Sequence, residues 1–583
     1  MNDQRALHEI DSHAYLQQRK GSIVSSVIFL FSAISITSDA AEFFVTNMTQ
    51  LNNFVPQARA GDSIVMRSGV WSGADITFKG TGSAGNPITL RAETPGRVFL
   101  TGSSGLAMSG SHLVVEGLVF TNGYRTSGDI ISFRDSSSAV AVNCRVSDCA
   151  IINYNPPITG NDTKWVSLYG FSNRVDHCYF KRKQNSGALL VVWLSPDDAD
   201  KPNDHLVDHN YFGERPELGQ NGGEGMRIGD SATSFNISHT IVEHNYFERC
   251  SGEIEIISNK SCENVYRYNT FVDCEGALTL RHGNRCIVEG NFFFGHGKTR
   301  TGGVRIIGED HKVFNNYFQD LAGADGRSAL SIMQGLEDTP LNGYFQVKNA
   351  IVAFNTFVNC DNSLLIGLSD TLTGTDRETT LPPVDCKIAN NIIRSTKNKL
   401  VDQRITPLNL AWEGNVAFGT VLGILANLGI TVSDPKLVQG ADGLWRPANE
   451  SPALGAAHGD YSFITTDIDG QNRPLLKDAG CDQSSSTPPI REPLTPADVG
   501  PAWMTPRPAI QGVTWDAQGF HLRWTGVAGA SYQVQYSGNL LVWNDAGPVI
   551  TNTSSLQTWI DDGSQITNAP VQLSRFYRLK QLP

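Results

Sequence analysis

One motif recurs through the middle of this chain and limits what it can fold into. It reads apolar-x-x-Asn-x-Phe, as in LVDHNYF, IVEHNYF, VYRYNTF, IVEGNFF, KVFNNYF and IVAFNTF, with Tyr266 in the apolar place of the third copy. Its asparagines are Asn210, Asn245, Asn269, Asn291, Asn316 and Asn355; Asn391 sits in a looser copy, and Cys178 holds the equivalent place in an earlier one. Successive separations are 35, 24, 22, 25, 39 and 36 residues, a base period of 22–25 with loop insertions. Such a period marks a solenoid. The units are strand-like, bounded by Gly and Asn, and lack a leucine consensus. They read as an all-β parallel β-helix, one coil per repeat, with the asparagines stacked as a ladder in a turn and the phenylalanines stacked in the core.

The repeat also explains the cysteines. Ten in an exported chain could mean disulfides. Cys149, Cys250, Cys274 and Cys360, however, each fall five residues after the repeat position held by Cys144, Asn245, Asn269 and Asn355. That recurrence predicts a stack of buried thiols.

Around the solenoid the chain divides as follows. Residues 1–40 read as a signal peptide: Arg19 and Lys20 precede the apolar run 23–36, and Ser38-Asp39-Ala40 fits a cleavage site. A run of about 14 residues is short for a membrane span. The mature protein is therefore expected outside the cytoplasm, secreted or periplasmic, with no membrane span. Residues 41–483 form the β-helix, with an entry cap in which Thr49 can N-cap a helix and Pro56 limits its length. From 400 to 482 the repeat fades into turn-rich sequence that reads as the terminal cap. Residues 484–508 are rich in Ser, Thr and Pro, a linker composition. Residues 509–583 carry alternating strands and read as a small antiparallel sandwich, loosely like fibronectin type III modules, with its aromatics mostly in the core. A net charge of −12 argues against general nucleic-acid binding, yet leaves room for an anionic ligand in a locally basic groove or beside a bound cation.

Four neighbouring repeats break the apolar pattern together. The first carries Asn221-Gly-Gly-Glu224 and Arg227; the second Glu253, Glu255 and Lys260; the third Arg281 and His282; the fourth Arg305 and His311. Coil stacking brings residues one repeat apart to about 5 Å, so Glu255, Arg281 and Arg305 should be neighbours. Singly, each reads as a solvated face or a turn residue. Together they form a polar patch on a regular solenoid, where function is expected. Carboxylates and an amide are hard ligands suited to Ca2+, whereas zinc would require clustered His or Cys.

The run GEIEIISNKS, followed by LRHGN, EGNFFFG, TGGVRIIGEDH and NNYF, resembles polysaccharide lyase family 6, the family of alginate lyases and chondroitinase B. GNPITLRAETPG and HLVVEGLVFTNG fit as well, so the resemblance spans about 41–483. It implies a right-handed parallel β-helix and Ca2+-assisted β-elimination on a uronate polymer. Position by position, Glu253, Glu255 and Asn221 would hold Ca2+, Lys260 would be the base and Arg281 the acid. Arg305 and His282 would contact substrate, with Arg227 and His311 as further candidates. Alginate is the expected substrate and dermatan sulfate the alternative. Two other readings stay open: a β-helix glycosidase using Glu253 and Glu255, which leaves the lysine and arginine without a role, and a non-catalytic glycan-binding adhesin.

Overall fold

The computed structural model describes residues 40–583 except 196, 198, 505–508, 517–518, 527–530, 539–541, 553–555, 563–574 and 582–583. The expected signal peptide lies almost wholly outside these residues. Three long parallel sheets run through the chain, and successive coils add one strand to each. The protein is a parallel β-helix, as the repeat requires.

The ladder asparagine sets each coil. Asn245 Nδ2 donates to Asn269 Oδ1 at 3.0 Å, and the Asn245 backbone N–H donates to the same oxygen at 3.0 Å. The same double bond links Asn210 to Asn245, then runs from Asn269 through Asn291, Asn316, Asn355 and Asn391 to Asn415. The preceding residue is left-handed in each coil, including the bulky Tyr268 (φ 57°) and Phe354 (φ 54°). Such a conformation is costly for a side chain of that size. The ladder bonds, repeated in every coil, offset that cost. Beneath them Phe180, Phe212, Phe247, Phe271, Phe293, Phe318 and Phe357 stack in series, with neighbouring ring centroids 4.6–5.3 Å apart. The ten cysteines are all free and buried.

Four details differ from the sequence reading. The entry helix Met48–Phe54 is capped by Asn47, whose side chain accepts from Gln50 N–H, and not by Thr49. Cys149 belongs to the ladder row itself, because Ala150 pairs with Tyr179 and Tyr179 with Tyr211; Cys144 lies in the preceding turn. The solenoid also runs one coil further than the visible motif. Asn415 completes the ladder and Asn415–Val421 pairs with Ile430–Val432, although the segment AWEGNVAF has lost its apolar-x-x-Asn-x-Phe form.

The fourth difference concerns the supposed linker, most of which is docked. Leu494 and Val499 pack with Tyr211 and Tyr246. Leu494 N–H donates to Thr270 Oγ1 at 2.9 Å, and Trp503 Nε1 donates to the Asp148 carbonyl at 2.8 Å. The segment is a strap running back along one sheet toward earlier coils. Polar composition suggested a linker; its few apolar residues decide otherwise. Beyond it, the antiparallel sandwich has its own core of Leu522, Trp524, Tyr532, Val534, Ala546 and Trp559. Trp515, at 77% exposed, and Phe576, at 41%, depart from the expectation of aromatics in the core.

Candidate active site on one sheet of the solenoid

The sheet that includes Met226–Gly229, Glu255–Lys260, Ala277–His282 and Val304–Ile306 carries the polar patch. Its register aligns Arg227, Ser258, Thr279 and Arg305 in one row. Lys260 and Arg281 stand two residues further on, on the same outward side. Two bulges adjust this alternation. Glu255 pairs with Ala277 but Ile257 with Leu278, so Ile256 is the extra residue of the first; Asn259 pairs with Leu280 but Lys260 with His282, so Arg281 is the extra residue of the second. A bulge re-aims side chains beside a site. Here it lets Glu255 and Ser258, three apart, meet through a hydrogen bond from Ser258 Oγ to Glu255 Oε2.

The carboxylates crowd because glycines let the coils close up. A Cβ on Gly223 would sit 2.3 Å from the Gly252 carbonyl oxygen, and one on Gly252 would sit 2.0 Å from that of Gly223. Glu224 and Glu253 follow these two glycines directly and become neighbours. Burial, then the charges of Glu224 and Glu255, push the Glu253 carboxyl up to about 9. Glu253 Oε1 and Glu224 Oε2 are buried without a hydrogen-bond partner. Arg215 braces this corner from beneath, donating to the carbonyls of Gly187, Gly222 and Gly223.

The cations lie beside the carboxylates. Arg281 Nε is 3.8 Å from Glu255 Oε1, and its guanidinium stacks 4.1 Å from the Tyr344 ring centroid while donating to the carbonyls of Asn342 and Gly343. Burial pulls the Arg281 guanidinium below its ordinary value. Lys260 is paired through its backbone in the sheet, but its Nζ has no hydrogen bond or ion pair among the described residues. Burial, then Arg281 and Lys260, hold His282 down at about 2, a neutral imidazole at any working pH.

Not every expected residue reaches an open surface. His311 is fully buried: its Nδ1 accepts from the Cys286 N–H and its Nε2 faces the Ile307 carbonyl at 2.9 Å. It belongs to a second ladder, in the turn before another sheet, with Asn173, His205 and Asn264, and is not a substrate contact. Arg305 does sit in the expected row, but it is 3% exposed, with Nη2 2.9 Å from Asp370 Oδ2. His282 is 1% exposed. Both support the site from within. Asn221 is exposed in its loop, with Oδ1 accepting from Gly222 N–H, and no hydrogen bond joins it to the carboxylates. Arg227 is partly exposed and stacks 5.0 Å from the Trp193 ring centroid.

The sequence placed Glu224 in the polar patch without giving it a role, and it missed Tyr344 and Asp370. Glu224 was visible in NGGEG, one position after the paired glycines. Tyr344 and Asp370 lie in insertions between repeats, where no period assigns a place.

Fold and site together define a class: a parallel β-helix with carboxylates, lysine and arginine gathered on one sheet. Residues 45–455 match the family model for chondroitinase B. The chain belongs to polysaccharide lyase family 6. Among solved structures it is similar to an arginine-to-alanine variant of the PL6 family alginate lyase AlyGC, at 34% identity over 82% of this chain and 60% of that one, with a TM-score of 0.70. It is also similar to a mannuronic acid specific family 6 lyase from human gut microbiota, at 33% identity over 67% of this chain and 90% of that one, TM-score 0.60. A PL6 alginate lyase in complex with trisaccharide matches at 25% identity over 71% of this chain and 92% of that one, TM-score 0.61. The chain spans 60% of the AlyGC chain's length. No curated protein matches it.

Proposed function

We propose that this protein is an exported lyase that cleaves alginate by Ca2+-assisted β-elimination. The observation that carries the reading is the unpartnered Nζ of Lys260 and the buried guanidinium of Arg281 on adjacent strands, beside three crowded carboxylates. Lys260 would remove the proton on C5 of the uronate. Arg281, lowered by burial, would give a proton to the departing glycosidic oxygen. The C4–O bond breaks as a C4–C5 double bond forms, and no water is consumed.

The donor set fits a hard divalent cation. Glu224, Glu253 and Glu255 offer oxygens only, and two of those oxygens are buried without partners. Among the described residues, no three such side chains are drawn in around a point where an ion would sit. When bound, Ca2+ would neutralise the charge that builds on the uronate carboxylate. Glu253 and Glu255 would hold it, joined by Glu224, with Asn221 reaching in from its loop.

The test is absorbance of the unsaturated product on alginate, its block polymers and dermatan sulfate, with and without EGTA. Alginate is expected to give product, EGTA to inhibit it and Ca2+ to restore it. Lys260→Ala and Arg281→Ala should each lower kcat by about 10²–10⁴-fold, the usual worth of acid–base catalysis, with the fold intact by circular dichroism. Activity retained in both variants would sink the assignment. The family model's description supports dermatan sulfate as the second reading, and product from that polymer alone would select it.

A further inference from the structure

The site row continues past the catalytic pair toward earlier coils. Ser132 pairs with Ser167, Ser167 with Val191 and Val191 with Arg227. Two residues beyond the first three stand Arg134, Tyr169 and Trp193, at the row position that Lys260 and Arg281 occupy further along. Phe133, Leu168 and Val192 beside them point into the core, so these three side chains face out. They are stacked in order. The Arg134 guanidinium lies 3.7 Å from the Tyr169 ring centroid, and the Tyr169 and Trp193 rings are parallel within 6° at 5.9 Å. Arg227 and Lys164 flank Trp193 at 5.0 and 5.8 Å. Glycine, Gly229, occupies the row between Trp193 and Lys260 and leaves the way open.

The tract is basic in balance. Lys164 is paired with Asp162 at 2.7 Å. Burial pushes the Asp129 carboxyl up from its ordinary value, against the lowering effect of Ser167, Lys164 and Arg134. Arg134 and Arg227 have no carboxylate within ion-pair distance among the described residues. On the opposite side of the catalytic pair the sheet is covered: Ile307, Met333, Leu365 and Leu368 lie under a loop that carries Tyr344. The uncovered stretch of the sheet beside the catalytic pair therefore runs toward Trp193.

We propose that Arg134, Tyr169, Trp193 and Arg227 form an extended binding tract for the uronate units on one side of the bond to be cleaved. The rings would take the flat faces of the sugars and the guanidiniums their carboxylates. Four strand spacings separate the Arg134 strand from the Lys260 strand, roughly 19 Å, so the tract serves long chains and leaves the shortest cleavable ones unaffected. The inference rests on the lyase reading above, and the experiment keeps the two apart.

Wild-type protein is first assayed for unsaturated product on alginate oligomers of increasing length. KM should fall with length in wild type. Arg134→Gln and Trp193→Ala should raise KM for long oligomers about tenfold, the worth of a lost charge-assisted contact, with kcat and the short-oligomer KM unchanged. Trp193→Phe, which keeps a ring, should restore part of the loss. Binding of the same oligomers is measured by calorimetry in a Lys260→Ala background, where the length-dependent gain in affinity should shrink with Arg134→Gln. Product formed with identical length dependence in all variants overturns the tract and leaves the lyase standing. No product from any uronate polymer overturns the lyase, and absence of length-dependent binding then overturns the tract as well.

Discussion

The Glu253 carboxyl keeps its proton at neutral pH in the metal-free protein, because burial and two neighbouring carboxylates raise it to about 9. A carboxyl raised on folding contributes stability that is present below its unfolded value, near 4.5, and is lost as pH rises through 9. Glu224→Gln removes one of the opposing charges. Its melting temperature in EGTA should therefore fall less than wild type between pH 5 and 9, about the range set by those two values. The increase in melting temperature on adding Ca2+ should be smaller in the variant, and an equal increase would remove Glu224 from the ligand set. His311 moves the other way. Burial depresses it from 6.5 to about 4, so the unfolded chain takes up a proton that the folded one refuses, and stability is lost as pH falls through that window. The full loss is roughly 3 kcal/mol from a shift of that size. His311→Asn puts in that ladder the residue it already uses at Asn264, and should flatten urea-measured stability between pH 6.5 and 4. The family resemblance made His311 a further candidate for substrate contact. Only the coil geometry shows that it occupies a turn, where its two nitrogens complete backbone bonds.

At the level of elements, the ladder is where sequence was most informative. A buried side chain that bonds its neighbours above and below must recur with the period of the coil, so it can be read directly. Asn269 is the case to test. Its Oδ1 accepts from both the N–H and Nδ2 of Asn245, and its own Nδ2 donates to the Val242 carbonyl at 2.9 Å. Asn269→Ala leaves these groups buried and unpaired, and should cost roughly 3 kcal/mol in chemical denaturation. A loss under 1 kcal/mol, about the value of a single exposed hydrogen bond, would show that the ladder is not what holds the coils. The bulges at Ile256 and Arg281 were not legible. A bulge adds one residue without changing composition, and only strand pairing reveals it. The places of Tyr344 and Asp370 within the wall-forming insertions were hidden for a related reason: insertions carry no period, so nothing in their sequence says over which coil they fold.

For the whole molecule, the strap changes what the C-terminal part of the chain does. Ser, Thr and Pro made residues 484–508 read as a spacer between two bodies. In fact Leu494, Val499 and Trp503 cover a flank of the solenoid whose aromatic rows, Tyr179, Tyr211 and Tyr246, would otherwise face water. A parallel sheet in a solenoid needs its outer apolar rows covered, and here the chain returns on itself to do so. The sandwich stands differently. It has a separate core, and the ion pair of Lys580 with Glu492, 3.1 Å apart at an exposed position, adds little to its attachment. Two truncations separate these roles. Ending the chain at Met504 removes the sandwich and should leave the melting temperature of the solenoid, and the lyase activity proposed for it, unchanged. Ending it at Gln483 also removes the strap, uncovers the tyrosine rows, and should lower the melting temperature by several degrees and raise binding of a hydrophobic dye. If both truncations melt alike, the strap only rests on the solenoid. If the shorter one melts lower, residues 484–504 belong to the folded body of the solenoid, and its boundary lies at the sandwich.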